Sequence, residues 1–280
     1  MAATRLIPRK VEKVWGRCDL PAPFGGGSIG GAPLGEIWFE DAEGQDHPLL
    51  VKYLFTSERL SIQVHPDDEA ARRAGELRGK EEAWFIADAQ PGASLGLGLT
   101  RRVSSEVLAS AARDGSIESL VDWRPAFAGE VLYSPAGTIH ALGAGLTVIE
   151  VQQNADVTYR LYDYGRPREL HIDEAVKVAN RGPYQPLVRR YLRPDGREIL
   201  AEGRAFVLER WRGPQVCMLR APADSPLWLI PAEGMGGLDG RLLEMGGVWL
   251  VRGEAELSLE TGSVLLVAYP GSKVVNGLFG

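Results

Sequence analysis

Two of the chain's four histidines stand beside other metal-binding or proton-moving side chains at strand spacing. His65 closes the run LSIQVHP (60–66). In an extended chain this run puts Ser61, Gln63 and His65 on one face and Leu60, Ile62 and Val64 on the other. His140 follows a tight turn in the order G-x5-P-x-G-x2-H, from Gly129 through Pro135 and Gly137. Between them GKEEAWFI (79–86) reads as a strand with Lys80, Glu82 and Trp84 on a shared face. Two neutral imidazoles, one carboxylate and one amide oxygen make a borderline donor set suited to zinc, with room for water or substrate in a further position. Downstream, Glu150 and Gln152 alternate along VIEVQQN, and Asp156 and Arg160 follow. A carboxylate facing a polarised carbonyl can move a proton, and an arginine can stabilise an oxyanion or hold an anionic group. The Asp156 and Arg160 spacing also suits a structural ion pair.

Positioning these groups requires strands. With 34 Gly, 18 Pro and only a few runs of helical period, the chain is expected to be mostly β. PLLVKYLF (48–55) reads as an apolar strand, with Lys52 as a snorkelling residue at a sheet edge. Asp67 and Asp68 are expected to cap a short helix over 69–77, Ser104 to Val121 to form one or two more, and Asp173 to Ala179 a helical turn or two. The loop GGGSIGG (25–31) lacks the preceding strand, the Lys-Ser/Thr ending and the following helix of a phosphate loop, so it reads as a connection with no nucleotide role. Tyr184 to Arg197, rich in proline and arginine, reads as a linker, dividing the chain into domains 1–185 and 186–280. In the second, VRGEAELSLETGSVLLVAYPG (251–271) resembles the turn and strand arrangement around His140. No histidine lies beyond His171, so this domain reads as structural or as a wall of the cleft. His47 and His171 read as satisfied, half-buried residues.

A formal net charge of −6 with no cluster of basic residues argues against nucleic-acid and anionic-membrane surfaces. Cys18 and Cys217, far apart and without C-x-x-C companions, indicate neither a disulfide framework nor a cysteine metal site. The N-terminal residues lack the apolar core of a secretory signal, and no run approaches the roughly 20 apolar residues of a membrane span, so a cytoplasmic location is expected.

LSIQVHPDD, GKEEAW, PAGTIHALGAG and EVQQNADVTYRLYDYGR followed by RELHI closely resemble the type I mannose-6-phosphate isomerases in their short bacterial form, over roughly residues 10 to 180. The resemblance implies a mainly β fold of two cupin-like jelly-roll (double-stranded β-helix) domains, of which 1–185 is catalytic and 186–280 is a smaller, degenerate one without ligands. It implies one zinc ion per chain, held by Gln63, His65, Glu82 and His140, with Arg160 as the active-site arginine. The implied reaction interconverts mannose 6-phosphate and fructose 6-phosphate through a cis-enediol. Glu150 and Lys80 are then candidates for the proton shuttle, alongside a zinc-bound water. Ser61 and Lys80, with Asp156, are candidate substrate contacts, and Lys52 or Arg168 stand in reserve for the phosphate. The expected partner is a small sugar phosphate, with the chain acting as a monomer or homodimer. Ala155, where the family commonly has Ser, and Ala144, where the cupin motif usually continues to Asn, bear on substrate tuning more than on the metal. An iron-loaded cupin dioxygenase and a non-catalytic sugar-phosphate sensor are the alternatives. The glutamine ligand and Arg160 favour Lewis-acid isomerisation over the dioxygenase, and ligand binding without turnover would mark the sensor.

Overall fold

A computed structural model describes residues 2–20, 22–25, 28–29, 31–186 and 190–279. Four antiparallel sheets account for the strands. The first inner sheet runs Val131–Ser134, Glu82–Ala89, Leu146–Gln153, Leu49–Phe55, Ala32–Glu40, Ile7–Arg17, with Ser28–Ile29 paired onto Ala32–Glu40. A five-stranded outer sheet covers one of its faces, in the order Tyr159–Tyr162, Ile62–Val64, His140–Leu142, Ser94–Leu99, Val121–Pro125. The second inner sheet runs Ala3–Arg5, Trp249–Val251, Leu227–Glu233, Val264–Pro270, Phe206–Arg212, Glu198–Glu202, Tyr191–Leu192. Its own outer sheet has four strands, Gln215–Arg220, Glu254–Leu259, Met235–Leu238 and Arg241–Glu244. The expectation of a mainly β fold with a few short helices is met.

The side chains explain the layering. Strand Leu49–Phe55 is buried along its whole length. Its odd positions, among them Val51, Tyr53 and Phe55, meet Phe206, Trp228 and Leu266 of the second inner sheet in one apolar core. Its even positions turn the other way, where Leu54 joins Trp84, Leu95 and Val148 between the first inner sheet and its outer sheet. A strand covered on both faces loses the polar alternation of a half-exposed one, which is why PLLVKYLF reads as a continuous apolar run. Ile149, fully buried where the two inner sheets meet, gives a calibrated probe of that layer. Ile149→Val is expected to cost about 0.5–1.5 kcal/mol in urea unfolding, with the transition still single.

Helices close the far face of the five-stranded sheet, with Leu108, Ala112 and Ala175 packed on Ile62, Val64 and Leu161. They are Ser105–Asp114 capped by Ser104, Ile117–Leu120 and Ile172–Val178, while Asp68–Arg73, whose N-cap Asp67 accepts from the Ala70 amide, lies outside that cluster. None of the helices among the described residues is long and apolar enough to cross a membrane.

Several details differ from the sequence reading. Lys52 is no edge residue: its strand lies between Leu146–Gln153 and Ala32–Glu40, and it is 4% exposed. Leu60 leaves the apolar face expected of it and packs with Trp15 and Trp84 on the inner side, because the chain turns into the strand only at Ile62. Within 184–197, Tyr191–Leu192 forms an edge strand and Arg197 is fully buried against Glu209 at 3.1 Å, while 187–189 lie outside the described residues. Most of the glycine-rich connection also lies outside them or lacks described side chains. Ala3–Arg5 crosses over to add an edge strand to the second inner sheet.

Candidate metal centre

The two sheets that face each other in the first sandwich deliver the predicted ligands from opposite sides. Ile62–Val64 and His140–Leu142 are neighbours in the outer sheet, with His140 directly across from Gln63. Glu82 opens its strand in the inner sheet, opposite Ser134 and Gln152. His65, Glu82 and His140 are each no more than 2% exposed, and their ligand atoms lie within 4.8 Å of one another. The turn before His140 is tied to the other histidine, since the Gly137 amide donates to the His65 carbonyl at 2.8 Å. Gly137 has φ +82°, and a Cβ there would lie 2.9 Å from the Val178 carbonyl oxygen, so this turn requires glycine.

Backbone carbonyls fix the tautomers of both imidazoles. His65 Nδ1 donates to Val157 O at 2.8 Å and His140 Nδ1 to Thr138 O at 2.9 Å. A carbonyl can only accept, so each Nδ1 carries the proton and each Nε2 presents a lone pair. Those lone pairs point at a carboxylate: His140 Nε2 lies 3.0 Å from Glu82 Oε1 and His65 Nε2 lies 3.5 Å from Glu82 Oε2. His65 Nε2 and both Glu82 oxygens are buried without a hydrogen-bond partner. Buried lone pairs facing one another are costly unless a cation lies among them, and the residues therefore fit a metal ion. Burial, with the Lys80 charge adding to it, lowers the His65 pKa to about 3, which keeps that ring in its ligating form.

Gln63 lies beside these three. Its Nε2 is 3.3 Å from His140 Nε2 while its Oε1 accepts from Ser61 Oγ at 2.9 Å. A half-turn of the amide presents Oε1 to the centre instead, and the Ser61 hydroxyl, donor or acceptor as needed, then accepts. Two imidazole nitrogens, a carboxylate oxygen and an amide oxygen suit zinc.

Around this centre lies a ladder of buried charges. Lys80 Nζ sits 3.1 Å from Glu82 Oε2. Burial opposes the Lys80 ammonium, but the charges of Glu82 and Glu150 outweigh it and hold its pKa above the ordinary value. Glu82 is also penalised by burial, yet Lys80 and the two histidines keep its carboxyl well below the usual range. Glu150 goes the other way: burial and the Glu82 charge raise its pKa, against Lys80 and Lys52. It accepts from Trp84 Nε1 at 3.0 Å and pairs with Lys52 at 3.7 Å, so both of its oxygens are engaged. Lys52 in turn lies 4.1 Å over the Trp38 ring, and burial followed by the Lys80 charge lowers its pKa.

Arg160 and Arg168 both line the mouth of the cleft, but only one is free to meet an anion. Arg168 is clamped by both oxygens of the buried Asp163, at 2.6 and 2.7 Å. Arg160 has no carboxylate partner among the described residues and donates only to the Glu169 carbonyl, at 3.3 Å. The pairing of Arg160 with Asp156 that the spacing allowed is therefore not formed, and Asp156 is exposed at the rim. His47 pairs with Asp41 at 3.0 Å and His171 lies half-buried beside Arg160, both away from the metal ligands. The sequence reading gave Trp84 no role beyond its strand face and passed over Glu36, Trp38 and Lys13. Glu36 and Trp38 alternate with Ile37 and Phe39 in EIWFE, a signal of the same kind as the one used for LSIQVHP.

Comparison with known proteins sets this geometry in context. The mannose-6-phosphate isomerase of Streptococcus mutans is 34% identical over 197 residues, 65% of this chain and 62% of that protein. In structure, the mannose 6-phosphate isomerase from Bacillus subtilis matches 96% of this chain and 99% of its own, with a TM-score of 0.82 and 29% identity. This chain is similar to mannose-6-phosphate isomerases in sequence and in fold. A zinc-bound mannose 6-phosphate isomerase shares the fold over 97% of this chain and all of its own, with a TM-score of 0.74 and 15% identity. The matched segment spans 52% to 62% of the length of the curated mannose-6-phosphate isomerase relatives. No protein-family model matches the chain.

Proposed function

We propose that the chain is a zinc-dependent aldose–ketose isomerase that interconverts mannose 6-phosphate and fructose 6-phosphate through a cis-enediol. The observation that carries this reading is the convergence of two fixed Nε2 lone pairs on the Glu82 carboxylate in a buried space. Gln63, His65, Glu82 and His140 are the ligands. The chemistry a bound zinc ion supplies is Lewis-acid stabilisation of negative charge on the substrate's carbonyl and hydroxyl oxygens, with no change of redox state.

The remaining steps fall to the chain's own groups. Isomerisation takes a proton from one of two neighbouring carbons and returns it to the other. Glu150, held in one orientation by Trp84 and Lys52 and with its pKa raised, is placed to carry that proton, with Lys80 beside it. Arg160, with no carboxylate partner among the described residues, stabilises the developing enediolate. The enclosed part of the cleft is about 80 Å³, well below the roughly 300–1,000 Å³ of a typical small-molecule pocket. The reacting carbons therefore enter the cleft while the phosphate remains toward its open side. Ser61 and Lys80 are its candidate contacts, with Lys52 or Arg168 in reserve, and Asp156 at the rim is a contact for the sugar. Residues 1–185 form the metal-binding cupin part and 186–280 the smaller cupin-like part, with the N-terminal edge strand exchanged between them. The reaction belongs in the cytoplasm, in a monomer or homodimer.

A coupled assay for fructose 6-phosphate formed from mannose 6-phosphate tests the reading. Activity should disappear on treatment with a chelator and return on adding zinc. Turnover that persists in chelator-treated, metal-free protein would sink it.

A further inference from the structure

The residue between Lys80 and Glu82 faces away from the cleft, toward the second inner sheet. Glu81 is 6% exposed, and among the described residues no cation lies within ion-pair distance of it. Its charge is satisfied by neutral donors instead. Oε2 accepts from the Tyr133 hydroxyl and from the backbone amides of Arg204 at 3.2 Å and Ala205 at 3.1 Å. The Glu81 backbone is held as well: its N–H donates to Gln153 Oε1 at 2.9 Å, and its carbonyl accepts from the Gln153 amide at 3.0 Å. Arg204 and Ala205 belong to the turn that joins Glu198–Glu202 to Phe206–Arg212, in the second inner sheet. Gly203 opens that turn to the tyrosine, because a Cβ there would overlap the Tyr133 hydroxyl. The assembly forms part of the lining of a cavity of about 470 Å³, which shares no side chain with the metal cluster.

Apart from the Lys80 ammonium, 3.1 Å from Oε2, no donor among the described residues orients Glu82. Its position at the centre therefore depends on its backbone as well, and in an extended segment fixing one side chain fixes the facing of both neighbours. We propose that Glu81, gripped by the Tyr133 hydroxyl and the Arg204 and Ala205 amides, is a positioning residue that sets Glu82 in the metal centre. The second inner sheet thereby acts on the centre without contributing a ligand to it. This inference rests on the metal-centre reading above.

The test uses the full chain and two readouts: zinc affinity by competition with a chromophoric chelator, and the visible spectrum of the cobalt-substituted protein. Glu81→Ala is expected to weaken zinc binding about 10–100-fold, as loss of outer-shell support does elsewhere, and to alter the cobalt spectrum. Glu81→Gln keeps an oxygen acceptor for the two amides and should recover most of the affinity and the parent spectrum. Parent affinity and spectrum in Glu81→Ala would overturn the proposal. If Glu81→Ala does not fold, Tyr133→Phe decides, since it removes a single oxygen from the grip: weaker binding supports the proposal and unchanged binding overturns it. The parent chain is titrated first. If it binds no metal, the metal centre itself is refuted, a result distinct from failure of the positioning role.

Discussion

His140→Ala should fold and lose its metal. The ring donates one of the two lone pairs aimed at Glu82, and the alanine leaves only His65, Glu82 and Gln63 around the centre. Outer-shell partners of a ligand are worth about 10–100-fold in metal affinity, so removal of a ligand should exceed that range, and isomerase activity should fall to the level of the metal-free protein. The fold should survive for a specific reason. His140 packs 5.2 Å from Trp84 and 4.8 Å from His65, ring centre to ring centre, and its loss opens space there. The same change relieves a lone pair that faces a carboxylate when no cation is present. The net cost should stay within the roughly 0.5–3 kcal/mol usual for point substitutions. Zinc content after dialysis, chelator competition and far-ultraviolet circular dichroism read the three parts separately. A folded His140→Ala chain that keeps zinc with parent affinity would remove His140 from the ligand set.

What was legible in the sequence follows from which properties are local. Ser61, Gln63 and His65 share a face because strand alternation is local, and Glu82 with Trp84 follows by the same rule. The position of His140 after a proline and a left-handed glycine is local too. Strand neighbours are not. Whether Lys52 sits at an edge or in the middle depends on Leu49–Phe55 pairing with both Leu146–Gln153 and Ala32–Glu40, and nothing in PLLVKYLF specifies that order. Arg197 was misread for a related reason. A charged residue in a proline-rich run suggests solvent, whereas here Glu209 lies across a strand pair and removes the penalty of burial. Glu81 escaped notice because its partners, Tyr133 and the amides of 204 and 205, come from distant segments and two of them are backbone groups with no sequence signature.

Arg160→Ala should leave zinc binding at the parent level and remove most of the turnover, the reverse of the pattern expected for loss of a ligand. Arg160 projects from Tyr159–Tyr162, next to the strand that carries Gln63, yet it is not among the residues whose atoms converge on the centre. Its side chain makes one hydrogen bond, to the Glu169 carbonyl, which is worth about 0.5–1.5 kcal/mol at most. The links between this strand and the following segment run through the backbone, His171 N–H to Arg160 O at 2.8 Å and Arg160 N–H to His171 Nδ1 at 3.4 Å, and both survive the substitution. Stability should therefore change little. Turnover is another matter, because among the described residues this guanidinium at the cleft mouth has no carboxylate partner and can meet charge that develops on the substrate. Loss of a preorganised oxyanion donor costs about 10²–10³ in kcat, and Arg160→Lys should regain only part of it, since an ammonium lacks the planar fork. Steady-state kinetics beside zinc titration of the same samples make the test. An Arg160→Ala chain with parent kcat would move the charge stabilisation elsewhere, and one that loses zinc would make Arg160 part of the metal centre's support instead.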